Sequence, residues 1–445
     1  MLFVIGFPGC FGPIGTKLGN KKLFFAIPCK ECRRKDTSFL CQNAAQAKIL
    51  CLHQTTLTKF LKNVNFANYM EKTRLLGKTP SELKEIALAA GLPGFTGKQI
   101  AQWIYGKRVR SIAEMTNISK VGRERLEERF EVGVALPLGK AESADGTRKY
   151  LFPVNGDPGN AVEAVMIPDG DRKTLCVSSQ AGCKMGCKFC MTGRQGFHGS
   201  LSAADILSQF FGIDEAEELT NTVFMGMGEP LDNWEEVKRV IEVLTADWGF
   251  AWSPKRITLS TIGVLPNLKR FLDECKCHLG VSLHDPFPEE RLALMPVEKA
   301  YPARDVIDLV RQYDFTGQRR VSFEYTMFAG HNDTPRHADA LLRLLHGLEC
   351  RVNLIRFHQI PDFPYGTSPL SAMEAFRDRL SRGGLTATIR ASRGEDILAA
   401  CGLLAGQHNH ACTYEEIPVA SHPVRFRGPV GADHYVRRLR PGPVR

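Results

Sequence analysis

Hydrophobic positions along residues 172–400 switch repeatedly between a strand-like and a helix-like period. Short apolar runs typical of buried strands are predicted at 175–179, 222–225, 256–260, 278–283, 320–326 and 352–357. Segments with the apolar spacing of amphipathic helices alternate with them, at 203–211, 235–244, 266–274, 303–313, 336–348 and 372–382. Such alternation is typical of parallel βαβ units. The pattern fits a doubly wound sheet or a partial barrel. We expect an α/β fold, a partial (β/α)6 barrel over residues 172–405.

A different pattern precedes this region. Thr79-Pro80-Ser81-Glu82 is typical of a helix start, because Thr79 can cap, proline suits the first turn and Glu82 can reach back. Two further short helices are predicted near 97–105 and 119–130, so residues 70–135 are expected to form a small helical domain. Residues 136–171 are rich in Gly, Pro and Asp, with strand-like pieces at 148–153 and 161–167, and predict a linking hairpin.

Composition and charge narrow the class of protein. The 445 residues are 43% hydrophobic and 24% charged, typical of globular domains. No run approaches the roughly 18 apolar residues of a membrane span, so we expect a cytoplasmic chain without membrane contact. The net charge of +10 is concentrated in residues 1–69 and 406–445, which we expect to be a disordered or mis-started extension and a tail. Any nucleic-acid binding by the middle must therefore use local patches.

Three of the 14 cysteines lie within eight residues, as Cys183, Cys187 and Cys190, just after the first predicted strand. Thiolates are the usual ligands of iron–sulfur clusters. Three ligands on a four-iron cluster leave one iron open, and S-adenosylmethionine can chelate that iron through its amino and carboxylate groups. A structural zinc site is the alternative, although it requires a fourth ligand.

Further candidate residues follow the ends of successive predicted strands, which is where barrel and open α/β sites form. A glycine-rich turn with a glutamate, 226–230 (GMGEP), follows the second strand. The candidates for cofactor binding are Gly228, Glu229, Ser260, Ser282, Leu283, His284 and His358. Each of these residues alone is typical of a structural residue. Because all of them lie at or after the carboxyl ends of successive predicted strands, together they predict a site.

The cysteine spacing and the glycine-rich turn resemble the radical S-adenosylmethionine superfamily. The segments 174–183 (TLCVSSQAGC), 226–233 and 399–402 (AACG) resemble, more closely, the RlmN/Cfr family of RNA adenine methyltransferases over residues 70–405. The resemblance implies one [4Fe-4S] cluster, two S-adenosylmethionine molecules per turnover, and methylation of C2 of an adenine in large-subunit (23S) ribosomal RNA and in transfer RNA. It also implies an electron donor such as flavodoxin or ferredoxin, and we expect a monomer.

The same resemblance implies three catalytic roles. Cys401 is expected to carry the methyl group as S-methylcysteine, Glu163 to accept the ring proton, and Cys176 to release the product through a transient disulfide with Cys401. His358 departs from the family pattern, where asparagine is commoner.

Alternatives remain open. The same machinery could methylate C8, as in the Cfr branch, or act on another substrate. A non-catalytic RNA-binding protein with a structural metal is a third possibility. Two further features have open roles: a possible zinc site and a basic tail that could touch RNA phosphate. The residues concerned are Cys29, Cys32, Cys41 and Cys51 of the extension and Arg437, Arg438, Arg440 and Arg445 of the tail.

Overall fold

The computed structural model describes residues 14–18, 21–25, 72–317, 319–404 and 415–416. The chain divides into two compact units, residues 1–71 and 72–445. In the first unit, β1 (Ile14–Leu18) and β2 (Lys21–Phe25) pair as an antiparallel hairpin. The four cysteines of the possible zinc site and the four tail arginines lie outside the described residues.

The second unit begins with the helical segment. The strands β3 (Thr73–Arg74) and β4 (Phe130–Glu131) pair in parallel and bring its two ends together. Its helices are α1 (Pro80–Ala89), α2 (Thr96–Ala101), which continues as a π-helical turn over Gln102–Gly106, and α3 (Lys120–Glu127). The predicted capping box is present, since the Thr79 hydroxyl accepts the Glu82 amide and the Glu82 carboxylate accepts the Thr79 amide.

One mixed sheet of 11 strands forms the centre of this unit. Seven neighbouring strands are parallel. They are, in chain order, β8 (Arg172–Cys176), β11 (Asn221–Phe224), β12 (Ile257–Thr261), β13 (His278–Ser282), β14 (Val321–Met327), β15 (Arg351–Arg356) and β16 (Thr386–Arg390). The sheet follows chain order from β16 back to β8, as a partial barrel requires, so the predicted fold class is confirmed and extended by one strand.

The segment predicted as a linking hairpin continues this sheet. Its strands β5 (Gly139–Glu142), β6 (Arg148–Val154) and β7 (Asp157–Asp169) are antiparallel, and β7 pairs with β8. At the outer edge, Glu415–Glu416 pairs with β5. A small separate hairpin joins β9 (Gln180–Gly182) to β10 (Phe197–Ser200), and the predicted cysteine motif lies between its strands.

Helices pack against the parallel strands and bury their apolar faces. They are α4 (Met191–Arg194), α5 (Ala203–Phe211), α6 (Trp234–Thr245), α7 (Leu265–Glu274), α8 (Pro288–Leu294), α9 (Ala303–Val310), α10 (Pro335–Leu344) and α11 (Leu370–Arg382). Nearly every residue of β14 is buried, as expected for a strand covered on both faces. Among the described helices, none is long and apolar enough to cross a membrane.

Candidate active site

The three motif cysteines lie in the loop between β9 and α4. The Cys183 amide donates to the Gly196 carbonyl (2.7 Å) and the Cys190 amide to the Cys187 carbonyl (3.2 Å), so hydrogen bonds fix the loop. Burial raises the pKa of each thiol, that of Cys183 to about 12. The charges of neighbouring motif cysteines raise the pKa values of Cys183 and Cys187 further. Thiolates crowded in this way need a cationic centre to offset their charge.

Three thiols in one loop fit an iron–sulfur cluster. Thiolates are the usual ligands of such clusters, and three of them on a four-iron cluster leave one iron open.

The glycine-rich turn after β11 places a buried carboxylate beside the cysteine loop. Gly228 has φ +96°, and a Cβ there would come within 2.5 Å of the Gln180 side chain, so only glycine fits. Glu229 accepts hydrogen bonds from the Leu231 and Ile262 amides (both 3.0 Å) and from the Thr261 hydroxyl (2.7 Å). Burial raises the pKa of Glu229 to about 7. Three of about four lone-pair sites are used, which leaves room for one cationic donor.

Gly280 of β13 lies beside residues of the neighbouring strands. A Cβ there would lie 3.5 Å from each of the side chains of Ser260, Met225 and Glu324, which is ordinary van der Waals contact. Ser260 therefore faces Gly280, and its contact with the cofactor stays a prediction.

A buried arginine holds the end of β13. The Arg291 guanidinium donates to the Leu283 carbonyl (2.9 Å) and the Ser282 carbonyl (3.0 Å), and it pairs with Glu298. These contacts fix the backbone of two predicted cofactor contacts.

His284 continues this segment with a left-handed backbone, φ +59°. Its Nδ1 accepts the Thr326 amide (3.0 Å), and its ring lies 4.8 Å from that of Phe189 in the cysteine loop. Burial lowers the pKa of His284 to about 3, so the imidazole is neutral at pH 7.

The residues that follow Cys401 are hydrogen-bonded to α4, the helix directly after the cysteine loop. The Met191 amide at the start of α4 donates to the Gly402 carbonyl (2.8 Å), and the Thr192 hydroxyl donates to the Leu404 carbonyl (2.6 Å). The charge of Cys401 raises the pKa of Cys190, so the two thiols are electrostatic neighbours. The Cys401 side chain is nevertheless exposed, and it lines a cavity of about 330 Å³.

This cavity lies between the first and last parallel strands of the barrel. Residues of β8, β15 and β16 line it, together with His358, whose Nε2 bonds the Ser392 hydroxyl (2.5 Å). Four arginines and one aspartate supply the charged lining: Arg172, Arg356, Arg390, Arg393 and Asp169.

The charge of Arg390 interacts with both predicted reactive cysteines, Cys176 and Cys401. Its guanidinium contacts the Met225 sulfur (3.2 Å), and the charge of Cys401 raises the pKa of Arg390. Burial raises the pKa of Cys176 to about 12, the charge of Cys401 adds to this, and Arg390 opposes it. Both thiols are free in this structure.

Glu163 lies fully buried on β7. Side chains alternate along a strand, so Glu163 faces the same side as Ile167 and Asp169, which line the cavity. The Lys149 ammonium lies 3.0 Å from its carboxylate and also donates to the Leu398 carbonyl (3.3 Å), near Cys401.

Comparisons with known proteins agree with this geometry. Residues 177–345 match the radical SAM superfamily, and residues 73–132 match the ribosomal RNA large subunit methyltransferase N-terminal domain. Over 340 residues, 76% of this chain and 98% of the relative, the sequence is 58% identical to a probable dual-specificity RNA methyltransferase RlmN of Parabacteroides distasonis. The chain belongs to the RlmN family of radical SAM enzymes. A second RlmN relative, from Porphyromonas gingivalis, is 59% identical over 336 residues, 75% of this chain and 94% of the relative.

A solved structure supports the same assignment for the fold. A radical SAM methyltransferase from Sphaerobacter thermophilus superposes with a TM-score of 0.71 at 37% identity, covering 75% of this chain and all of that one. Membership in the RlmN family confirms the predicted enzyme class and, with it, a [4Fe-4S] cluster and S-adenosylmethionine as cofactors. It also removes the alternative of a non-catalytic RNA-binding protein.

Three charged residues of this RlmN-family site were not predicted: Lys149, Arg291 and Arg390. Each is a buried or half-buried cation. Lys149 and Arg390 have partners that are distant in sequence, and Arg390 and Met225 are 165 residues apart, whereas the partners of Arg291 lie within nine residues of it. The pattern around Lys149 is that of an ordinary strand, and only the buried charge itself could have drawn attention to it.

Proposed function

We propose that this chain methylates C2 of an adenine in 23S ribosomal RNA, and an adenine in transfer RNA, with two S-adenosylmethionine molecules per turnover. The observation that carries the proposal is the position of Cys401. The residue after it, Gly402, is hydrogen-bonded to the helix that follows the cluster cysteines, while the Cys401 side chain lines a cavity. The relatives named dual-specificity RNA methyltransferase support the choice of RNA.

Two groups of residues would hold the cofactors. Cys183, Cys187 and Cys190 would hold the cluster, and the buried carboxylate of Glu229 would accept the ammonium of S-adenosylmethionine. Gly228, Ser260, Ser282, Leu283, His284 and His358 would complete the cofactor site. Together, the bound cofactors supply a carbon-centred radical able to remove hydrogen from a methyl group.

Cys401 would act as the methyl carrier. C2 of adenine lies between two ring nitrogens and is electron-poor, so it does not displace a sulfonium methyl directly. A thiol can accept that methyl first, and its methylene can then bond to C2. Glu163 would accept the C2 proton at its carboxylate, which the Lys149 ammonium holds in place. Cys176, as its thiolate, would then attack the Cys401 sulfur. The sulfur–sulfur bond forms, the carbon–sulfur bond breaks, and its electron pair stays on the methylene carbon, which takes up a proton to become the methyl group of the product.

The lining of the cavity suits an RNA strand. Arg172, Arg356 and Arg393 lie around its wall and Asp169 supplies the opposing charge, so the cavity is basic although residues 70–405 as a whole are nearly neutral. Guanidinium groups bind phosphate through two hydrogen bonds at once. Because duplex stacking hides C2, we expect the target adenine to be extruded into the cavity.

Nucleoside analysis tests the proposal. Ribosomal and transfer RNA lacking the modification would be treated with cluster-loaded enzyme, S-adenosylmethionine and a reductant, then digested and separated by mass spectrometry. We expect 2-methyladenosine from the native chain and none from Cys401→Ala. The control variant Cys275→Ala, which removes a buried thiol at the end of α7, should still form it. Formation of 8-methyladenosine would instead support the alternative C8 chemistry, and methylation by Cys401→Ala would contradict the methyl-carrier role.

Three further expectations accompany this proposal. We infer an electron donor such as flavodoxin or ferredoxin, a monomeric chain and a cytoplasmic site of action.

A further inference from the structure

Four metal-binding side chains converge just beyond the cofactor segment at the end of β13. They are Asp285, Glu290, His331 and His337, contributed by the loop after β13, α8, the loop after β14 and the first turn of α10. One atom each from Asp285, Glu290 and His337 lies within 4.8 Å of the others. None of the four belongs to the cluster motif or to the methyl-transfer residues.

The distances among the four residues suit one small cation. His337 Nε2 lies 2.9 Å from Glu290 Oε2 and 3.9 Å from Asp285 Oδ2, and His331 Nε2 lies 3.8 Å from the same Asp285 oxygen. Zinc bonds of about 2.0–2.2 Å at tetrahedral angles place ligand atoms about 3.3 Å apart. These three distances differ from that spacing by about 0.4–0.6 Å. His331 falls outside the group of ligand atoms that lie within 4.8 Å of one another, so its ring must move further than the other three groups to become the fourth ligand.

The other oxygen of each carboxylate already has a partner. Asp285 Oδ1 accepts the Phe287 amide (2.9 Å), and Glu290 Oε1 accepts the Arg336 guanidinium (2.7 Å). These bonds orient Asp285 Oδ2 and Glu290 Oε2 towards the common centre. Partners of this kind orient metal-ligating side chains in known sites.

The imidazoles are oriented in the same way. His337 Nδ1 bonds the Thr334 hydroxyl (2.7 Å), which directs Nε2 to the centre, and the His331 ring stacks on Tyr365 with centroids 4.2 Å apart.

Two of the converging atoms lack a hydrogen bond. Among the described residues, neither Asp285 Oδ2 nor His331 Nε2 has a hydrogen-bond partner, although both atoms are buried. The Asp285 side chain is fully buried. Buried unpaired polar atoms are costly, and a divalent cation at the centre would bond both and offset the two carboxylates.

We propose that Asp285, Glu290, His331 and His337 form a zinc site distinct from the iron–sulfur cluster. Two imidazole nitrogens and two carboxylate oxygens are a donor set that zinc accepts, and the four ligands close its tetrahedral shell, as in structural sites.

The zinc would fix the segment that presents His284. Asn332, the residue after His331, donates to the His284 carbonyl (2.8 Å) and the Thr326 carbonyl (2.8 Å). A metal joining Asp285 to His331 and His337 would therefore fasten the loop after β13 to the loop after β14, on either side of these bonds.

Zinc content measured on matched variants tests the site. The full-length, cluster-loaded chain would be stripped with a chelator, dialysed anaerobically with one to two equivalents of zinc sulfate, and analysed for metals. We compare the native chain with Asp285→Asn, which keeps the side-chain shape, and with Glu289→Gln, which removes the exposed neighbouring carboxylate. Cysteine-bound zinc is common to all three and cancels in the differences.

We expect the native chain and Glu289→Gln to retain one more zinc per chain than Asp285→Asn, and zinc to raise the unfolding temperature of the first two only. His331→Gln, which removes a half-buried loop ligand, should bind zinc at least tenfold more weakly and decides the matter if Asp285→Asn does not fold. Equal zinc content in the native chain and in the folded ligand variants would overturn the proposal and leave His337 as a hydrogen-bonding bridge between two carboxyls.

Discussion

The Lys149 ammonium lies 3.0 Å from the Glu163 carboxylate, and neither side chain is exposed to solvent. A buried charge that loses its counterion is strongly destabilising. We therefore expect Lys149→Met to lower the free energy of unfolding by about 3–5 kcal/mol, measured by urea denaturation. Adding Glu163→Gln should recover much of that loss, because the variant then lacks both charges.

A surface ion pair provides the control for this experiment. Lys140 lies 3.1 Å from Asp214 with both side chains partly exposed, so Lys140→Met should cost less than about 1 kcal/mol. Equal losses from Lys149→Met and Lys140→Met would show that the buried pair has no special importance to stability.

The proposed role of Cys176 predicts a trapped intermediate. Without its thiol, the bond between the Cys401 sulfur and the adenine ring has no internal nucleophile to break it. Cys176→Ala should therefore accumulate chain covalently joined to RNA, visible as a slower band on a denaturing gel, while methylated RNA product falls. Cys277→Ala removes another buried thiol and should give no such band. Undiminished multiple turnover by Cys176→Ala would exclude the disulfide route.

Much of the barrel could be predicted because its elements carry strong local patterns. Helix α5 was predicted with both of its ends, since Ser202 caps it and every residue from Ala203 to Phe211 is buried. Strand β16 was not predicted, because only Ala387 of its five residues is buried, and the segment therefore lacks the apolar run of the other parallel strands. Helix α8 was missed for a similar reason, since only Arg291 and Leu294 of its seven residues are buried.

The residues of the site also differ in whether the sequence alone could predict them. Residues at strand ends, such as Glu229 and Ser260, could be placed from the order of strands, and Cys401 from its family motif. The contacts that hold these residues could not be predicted, because the role of a buried cation such as Lys149 becomes apparent only once its partner on another strand is known. The converging ligands Asp285 and His337 are likewise separated by 52 positions in the chain and have no spacing motif.

The basic cavity predicts a salt-dependent contact with RNA. Arg393 lies in the cavity wall, 3.8 Å from Asp169. Each phosphate contact to a single strand contributes about 0.7 to the slope of log affinity against log salt. Arg393→Gln should reduce that slope by about this amount, measured by RNA-binding titrations at several salt concentrations. Arg351 is exposed and begins β15, whereas the cavity is lined by Arg356 at the end of that strand. Arg351→Gln should therefore leave the slope unchanged. An equal reduction in both variants would argue against a phosphate contact in the cavity.

Removing the buried carboxylate of Glu229 should raise the free energy of unfolding by an amount that depends on pH. Its pKa is about 7 when folded, against 4.5 for an unperturbed glutamate, because burial disfavours the charge. Between about pH 4.5 and 7 the folded chain holds more protons than the unfolded one, so stability declines as pH rises. At about 1.4 kcal/mol per pKa unit, the difference of about 2.5 between these pKa values gives a penalty on the order of 3 kcal/mol at pH 8, most of which builds up between pH 5 and 8. In the cofactor-free, reduced chain, Glu229→Gln should therefore gain stability relative to native by about that much between pH 5 and 8. Glu289→Gln, an exposed counterpart, should show no such change in urea denaturation, and a pH-independent difference for Glu229→Gln would mean that the carboxyl is ionised throughout.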